Sequence, residues 1–449
     1  MRPLHFLRRV TDALTLHSDR NVDLKSQLGC CYAHAMGVAS ETTQEVRPRI
    51  DGDRLWRTLH ELAEIGATKA GGVARVALTD DDRAGRDQFV DWARDIGCTI
   101  DIDRIGNIFA RYEGTDPQRD PIVIGSHLDS QPTGGKYDGA YGVMVGLEVI
   151  RALHDSGTRL ASPVEVVSWT NEEGARFPPA MLGSGVFSGD ISLEAGLGST
   201  SMNGDILGEE LLRIGYSGPT MPGARAVGYY LEPHIEQGPI LEAGGHDIGI
   251  VTGVQGVRWY DVEITGREAH AGTTPMERRS DAMVSAARLI VEVDNIAKRY
   301  GPAGRSTVGV LEALPGSRNT IAGHIRMTVD LRHPDADTLA TMSAELHAAA
   351  AAMSPSPQVK EIWYSSPIRF DETAVTALRH AVTRTGREGF DILSGAGHDA
   401  CYISHVAPTA MIFIPCEDGL SHNEAEAITA THAVAGAEVI LEAVLDLGA

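Results

Sequence analysis

The stretch Gly125-Ser126-His127-Leu128-Asp129, followed by Gly134-Gly135-Lys136-Tyr137-Asp138-Gly139, organises everything else in this chain. It sets a histidine and two acids among glycines, directly after the apolar run Ile122-Val123-Ile124. A second acidic cluster, Asn171-Glu172-Glu173-Gly174, follows another apolar run, Val164 to Trp169. Strand ends that deliver His and carboxylates to one rim are how an α/β protein builds a metal site.

Working outward, 449 residues exceed one ordinary core, so two domains are expected. Charged residues at 22% and hydrophobic ones at 43% are ordinary for a globular protein. A formal net charge of −22 argues against nucleic acid or an anionic membrane surface as partner. No apolar stretch approaches the ~20 residues that span a bilayer. The cysteines Cys30, Cys31, Cys98, Cys401 and Cys416 form no CxxC pair and are odd in number. Reduced thiols, and hence a cytoplasmic location, are expected. Arg2, Arg8 and Arg9 precede no sustained apolar segment, which disfavours a secretory signal. Residues 1–48 read as an N-terminal extension, either mobile or not part of the fold.

Asp53 can cap a helix carrying Leu55, Leu59 and Leu62, and a second helix fits 83–96. Strands are expected at 98–102, 107–112, 122–124 and 164–170, with a helix at 142–153 between the last two. Residues 183–220 look like a long Gly- and Ser-rich excursion with two short helical pieces. A short buried strand follows at 248–251. The pattern then changes. Residues 259–265 and 324–332 alternate, which predicts half-exposed strands, with helices at 279–300 and 336–353. After 365 the α/β style returns: helix 372–384, the turn at 394–397, strand 409–414 and a helix from 433. The fold expected is an α/β mixed-sheet metallohydrolase domain, residues 49–252 and 365–449. A smaller α+β domain, residues 253–364, is inserted into it.

The candidate metal ligands are His127, Asp138, Glu173, His234 and His422. Each alone is weak, and the strand ends and Gly-rich turns around them raise their weight. The glycines flanking Asp138 let a short carboxylate reach a fixed point, where it can bridge two cations about 3.5–4 Å apart. Asp129, two residues after His127, points the same way in an extended segment and can hold the imidazole N–H; a turn cap is the plainer alternative. Adjacent Glu172 and Glu173 point to opposite sides if extended, so one can bind metal while the other faces water. An acidic helix N-terminus is the structural alternative for this pair.

These residues, with His234-Ile235-Glu236-Gln237-Gly238-Pro239, Ala269-His270-Ala271-Gly272-Thr273-Thr274-Pro275, Gly316-Ser317-Arg318-Asn319-Thr320-Ile321, Asp330-Leu331-Arg332-His333-Pro334, Gly395-Ala396-Gly397-His398-Asp399 and Leu420-Ser421-His422-Asn423, stand in a familiar order. From about residue 50 onward the chain resembles the N-carbamoyl-amino-acid amidohydrolases. That group includes β-ureidopropionase and allantoate amidohydrolase, within the aminoacylase-type M20 metallopeptidase superfamily. The resemblance implies two divalent ions: zinc first, with manganese, cobalt and nickel also compatible with such ligands. It places one ion on His127, Asp138 and His234 and the other on Asp138, Glu173 and His422. It makes Glu172 the general base. It gives His270 the substrate carbonyl, reaching in from the smaller domain of a neighbouring subunit. Gln237, Asn319 and Arg332 would grip the substrate, and Arg332 suits a bidentate carboxylate pair. A homodimer through the inserted domain is implied as well.

The expected reaction is hydrolysis of the ureido group of an N-carbamoyl amino acid, giving the amino acid, carbon dioxide and ammonia. Ser130-Gln131-Pro132 before the Gly-Gly-Lys-Tyr-Asp loop leans towards the β-ureidopropionase side, with α- and β-ureido acids both open. Allantoate amidohydrolase is the near alternative. Metallopeptidases and aminoacylases of the wider superfamily usually place an acid where His234 stands. A non-catalytic binding module of the same fold is disfavoured by the intact ligand and base positions. Gly183-Ser184-Gly185 lacks a nucleophile-elbow pattern and reads as a flexible loop.

Overall fold

The computed structural model describes residues 47–449. The expectations for residues 1–46 lie outside them. A nine-stranded mixed sheet runs in the order Thr99–Ile102, Ile108–Tyr112, Val164–Trp169, Ile122–His127, Tyr229–Ile235, Thr409–Ile414, Ile248–Val254 and Ile368–Arg369. Gly389–Ser394 pairs in parallel with Ile248–Val254. The central four strands, Val164–Trp169, Ile122–His127, Tyr229–Ile235 and Thr409–Ile414, are mutually parallel. Their C-terminal ends therefore share one rim, the edge at which such sheets bind ligands.

Burial explains the composition of these strands. Every residue of Ile122–His127, Val164–Trp169 and Thr409–Ile414 is buried, so their apolar runs face packed helices on both sides. Helix Ala140–Ser156 leaves the Asp138 loop and is buried from Ala140 to Leu153. Its Glu148 is fully buried yet satisfied, pairing with Arg54 at 2.7 Å.

Several boundaries move. The first helix is Gly52–Ala63, capped by Asp51, whose side chain accepts the Arg54 N–H; Asp53 lies inside its first turn. The second starts earlier, at Asp80, capped by Thr79. The excursion holds three helices, Leu182–Ser188, Leu193–Leu197 and Leu207–Ile214. Gly183-Ser184-Gly185 is buried in the first of these, and Ser184 donates to the Asp399 carboxylate, so it is not a flexible loop. The strand Tyr229–Ile235 escapes the sequence reading because Glu232 and Pro233 interrupt its apolar pattern. Pro233 is tolerated there because pairing with the Ile122 strand ends at Leu231.

A second, five-stranded antiparallel sheet is built from Leu311–Leu314, His324–His333, Gly256–Thr265 and Gln358–Ser365, with Arg305–Thr307 against His324–His333. Helices Ala282–Arg299 and Ala336–Ala351 cover one face. Tyr260, Val262, Ile264, Ile325, Met327, Val329 and Leu331 point into a separate hydrophobic core beneath them. The opposite face carries alternate residues that do not meet these helices. Among the described residues no helix is long and apolar enough to cross a membrane.

Candidate active site

His127 is the last residue of its strand, and His234 the last but one of the neighbouring strand. Asp138 arrives on the glycine-rich loop before helix Ala140–Ser156. Gly139 takes φ +65°, and a Cβ there would lie 2.3 Å from the His127 ring, so only glycine lets this loop approach. Trp169 pairs with His127, and the chain beyond it turns tightly at Asn171 (φ +56°) and Gly174 (φ +63°). This turn carries both glutamates to one cavity and replaces the extended, two-sided arrangement expected from their adjacency.

The two oxygens of Asp138 are divided. Oδ1 lies 3.2 Å from His234 Nε2 and 3.6 Å from His127 Nε2. Oδ2 lies 3.5 Å from His422 Nε2. Glu173 Oε2 is 3.3 Å from the same His422 nitrogen, and Glu172 Oε2 is 3.4 Å from His127 Nε2. Potential donor atoms of His127, Asp138 and His234 lie within 4.8 Å of one another, as do those of Asp138, Glu173 and His422. Two clusters of nitrogen and oxygen donors sharing one carboxylate fit divalent metal ions.

The far sides of the rings support that fit. His127 Nδ1 is 2.8 Å from the Asp129 carbonyl, and His234 Nδ1 is 2.9 Å from the Ile235 carbonyl. A ring that donates Nδ1–H to a carbonyl presents an unprotonated Nε2 as ligand. Here the Asp129 expectation is corrected. Its main-chain carbonyl, not its carboxylate, holds His127. The carboxylate instead accepts the N–H groups of Glu172 and Glu173, at 3.1 and 3.2 Å. The strand ends at His127, so residues 127 and 129 no longer share an extended register.

Without metal, the clustered carboxylates draw protons onto these rings. Burial opposes protonation of His127, yet Glu172, Asp138 and Asp129 outweigh it and hold its pKa well above the ordinary value. Burial, with Asp399, Glu173 and Asp129 nearby, drives Glu172 well above the carboxylate range despite the opposing pull of His127. Burial also raises Asp138, but its contacts with His127 and His234 prevail and lower it. His422 is lifted to about 9, chiefly by its contact with Glu173. Such a concentration of buried carboxylates calls for positive charge in its midst.

These groups open into a cavity of about 530 Å³ whose walls come from both sheets. Gln237 and Arg332 line it. Gln237, at φ +58°, donates to Asp138 Oδ2 at 2.8 Å. Arg332 pairs with Asp330 at 2.8 Å and donates to the Gly395 carbonyl at 2.8 Å, linking the two sheets. His270 and Asn319 are elsewhere: His270 is exposed on a two-residue strand beside Thr320, and the Asn319 carbonyl accepts the Ala271 N–H at 2.8 Å. Neither lines this cavity.

Three buried groups received no individual role from the sequence. His398 lines the cavity with its ring 4.5 Å from that of His234, and burial beside that ring keeps it neutral. Glu232 accepts from Ser126 Oγ at 2.7 Å and from the Ala400 N–H at 2.8 Å. Arg75 donates to the Leu128 carbonyl at 2.7 Å, beneath the His127 turn. Gly395 and Gly397, just before His398, are the available signal for the first. Nothing local marks the other two.

The model of peptidase family M20/M25/M40 matches residues 123–446, which contain every residue of the site named above except Arg75. The chain belongs to this family. An N-carbamoyl-L-amino-acid amidohydrolase of Rhizobium meliloti is 45% identical over 402 residues, covering 89% of this chain and 97% of that protein. One of Geobacillus stearothermophilus is 36% identical, covering 89% and 99%. The crystal structure of an amidase of the hydantoinase/carbamoylase family from Burkholderia multivorans is 51% identical and superposes with a TM-score of 0.86, covering 89% and 98%. The chain is thus a family hydrolase of the amidohydrolase type, with its clustered His, Asp and Glu fitting a divalent metal site.

Proposed function

We propose that the protein hydrolyses the ureido group of N-carbamoyl-L-α-amino acids, releasing the amino acid, carbon dioxide and ammonia. The observation that carries this reading is the divided carboxylate of Asp138, with Glu172 beside it in the same cavity. The names of the relatives above support the α-ureido class over the β-ureido one. Two divalent ions would be held by His127, Asp138 and His234 and by Asp138, Glu173 and His422, zinc first, with manganese, cobalt and nickel also compatible with such donors. Bound there, they supply Lewis acidity and a water of lowered pKa.

The remaining work falls to the chain. Glu172 takes a proton from the attacking water and returns it to the leaving nitrogen. Arg332 exchanges part of its pairing with Asp330 for the substrate carboxylate, held by two parallel hydrogen bonds. Gln237 fixes the substrate beside Asp138. Residues 253–364 serve as lid and dimerisation domain on a catalytic domain of 49–252 and 365–449. His270 and Asn319 reach the cavity of a second copy, His270 stabilising the developing oxyanion. Their exposed position outside their own cavity supports that assignment. Buried free thiols at Cys98, Cys401 and Cys416 support a cytoplasmic location.

The test is turnover of the metal-reconstituted protein on N-carbamoyl-L-α-amino acids, N-carbamoyl-β-alanine and allantoate. Preferential cleavage of the first class is expected. Exclusive turnover of either other substrate would replace this reading.

A further inference from the structure

The helix-free face of the smaller sheet carries an unusual pair. Trp259 and Trp363 face each other across neighbouring strands, with ring centroids 4.6 Å apart, and are 42% and 41% exposed. Leaving two large apolar rings open to water is costly unless something covers them. Both line the cavity that contains His127, Asp138, Glu172 and Arg332.

Register gives the pair its meaning. Asp330, Trp259 and Trp363 form one row across three strands, and Arg332, Val257 and Ser365 form the row two residues along. Side chains two residues apart on a strand share a face, about 7 Å from each other. A carboxylate anchored on Arg332 thus has the indole pair as its neighbour on the same surface. Asp330 ties the two together: it accepts Trp259 Nε1–H at 2.9 Å and Arg332 Nη2–H at 2.8 Å. Met181, Val254, Ile368 and Tyr402 add apolar surface to the same cavity.

We infer that Trp259 and Trp363 form the subsite for the substrate's side chain and select N-carbamoyl amino acids whose side chain is large and apolar, above all aromatic. This rests on the ureido-acid reading above. An aromatic ring placed against the indoles gains stacking as well as burial. N-carbamoyl-β-alanine has no side chain to fill the space. Allantoate would set a second, polar ureido group against the apolar faces of the indoles.

The test compares kcat/KM of the full, metal-reconstituted chain on N-carbamoyl-L-phenylalanine, N-carbamoyl-L-tryptophan, N-carbamoylglycine, N-carbamoyl-β-alanine and allantoate. The parent should favour the phenylalanine substrate over the glycine one by about tenfold or more. Trp363→Ala, which spares the Asp330 contact, and Trp259→Ala should each shrink that ratio to about threefold or less, mainly through KM. Trp259→Phe should keep most of it. Equal rates on the glycine and phenylalanine substrates, or variants that slow all substrates by one common factor, would overturn the inference while leaving the ureido reading intact. A parent inactive on every ureido acid would sink both.

Discussion

Glu426 accepts the main-chain N–H of Asp138 at 3.1 Å, so one buried acid holds another from 288 residues away. The same oxygen accepts the Tyr137 N–H at 2.9 Å, and Ser421 Oγ lies 3.2 Å from the other oxygen and 2.7 Å from Asp138 Oδ2. The loop bearing Asp138 is thereby fixed to the segment bearing His422. Glu426→Ala leaves two buried N–H groups without acceptors and should cost roughly 1–3 kcal/mol for each, as seen in denaturant unfolding. Glu426→Gln keeps an accepting oxygen and should lose less. Metal titration should show weaker binding in the alanine variant, because Asp138 is then less constrained.

Gly139→Ala should be more damaging than its size suggests. The residue sits at φ +65°, and its new methyl would meet the His127 ring at 2.3 Å. Strain and displacement of the ring together should cost about 2 kcal/mol or more and reduce metal uptake at the His127 cluster. Thermal unfolding of the metal-free protein separates the two effects. If only the metal-loaded form suffers, the backbone tolerates alanine and the ring has simply moved.

What the sequence made legible follows from its physics. The runs 122–124 and 164–169 are buried on both faces, so their composition alone marks them as strands. Short-range glycine and acid patterns mark the loops at Asp138 and Glu172. The smaller sheet, half-solvated, announces itself by alternation, as at Ile325, Met327, Val329 and Leu331. The strand carrying His234 has no such mark, since Glu232 and Pro233 owe their places to partners far along the chain. The expectation for Asp129 fails for a related reason: which of its oxygens meets His127 depends on where the strand stops.

The metal-free protein should respond to pH through His422. Its pKa is raised from 6.5 to about 9 by Glu173 and Asp138. A group raised in the folded state stabilises fully below its unfolded value, so this contribution is present below pH 6.5 and is lost as pH rises through about 9. Metal binding requires the neutral ring, so the same rise in pH should strengthen it. The difference in Tm between metal-loaded and chelated protein should widen from pH 6.5 towards 9, with proton release on metal binding in calorimetry. A constant difference across that window would count against His422 as a ligand.

Glu172→Gln separates binding from chemistry. The amide is nearly isosteric but cannot accept the water proton, so kcat should fall by about 10²–10⁴. Glu172 lies 3.4 Å from His127 yet belongs to neither shared cluster around Asp138. Metal stoichiometry should therefore stay at the parent's value. Loss of metal together with activity would instead make Glu172 a ligand.

His270 offers a test of the assembly that no single variant provides. Its ring is exposed on the smaller sheet's side, with Nδ1 accepting the Gly272 N–H at 3.0 Å. If it serves the cavity of a second copy, a His270→Ala chain still supplies a sound Glu172 and metal cluster, and a Glu172→Gln chain still supplies a sound His270. Closed two-fold symmetry then gives each mixed dimer one site in which both intact groups meet. Unfolding and refolding the two inactive variants together should restore turnover that neither shows when refolded alone. Restored activity should rise with the fraction of mixed dimer resolved by differential tagging. Mixtures that stay as inactive as their components would place His270 outside the reaction or confine its action to its own chain.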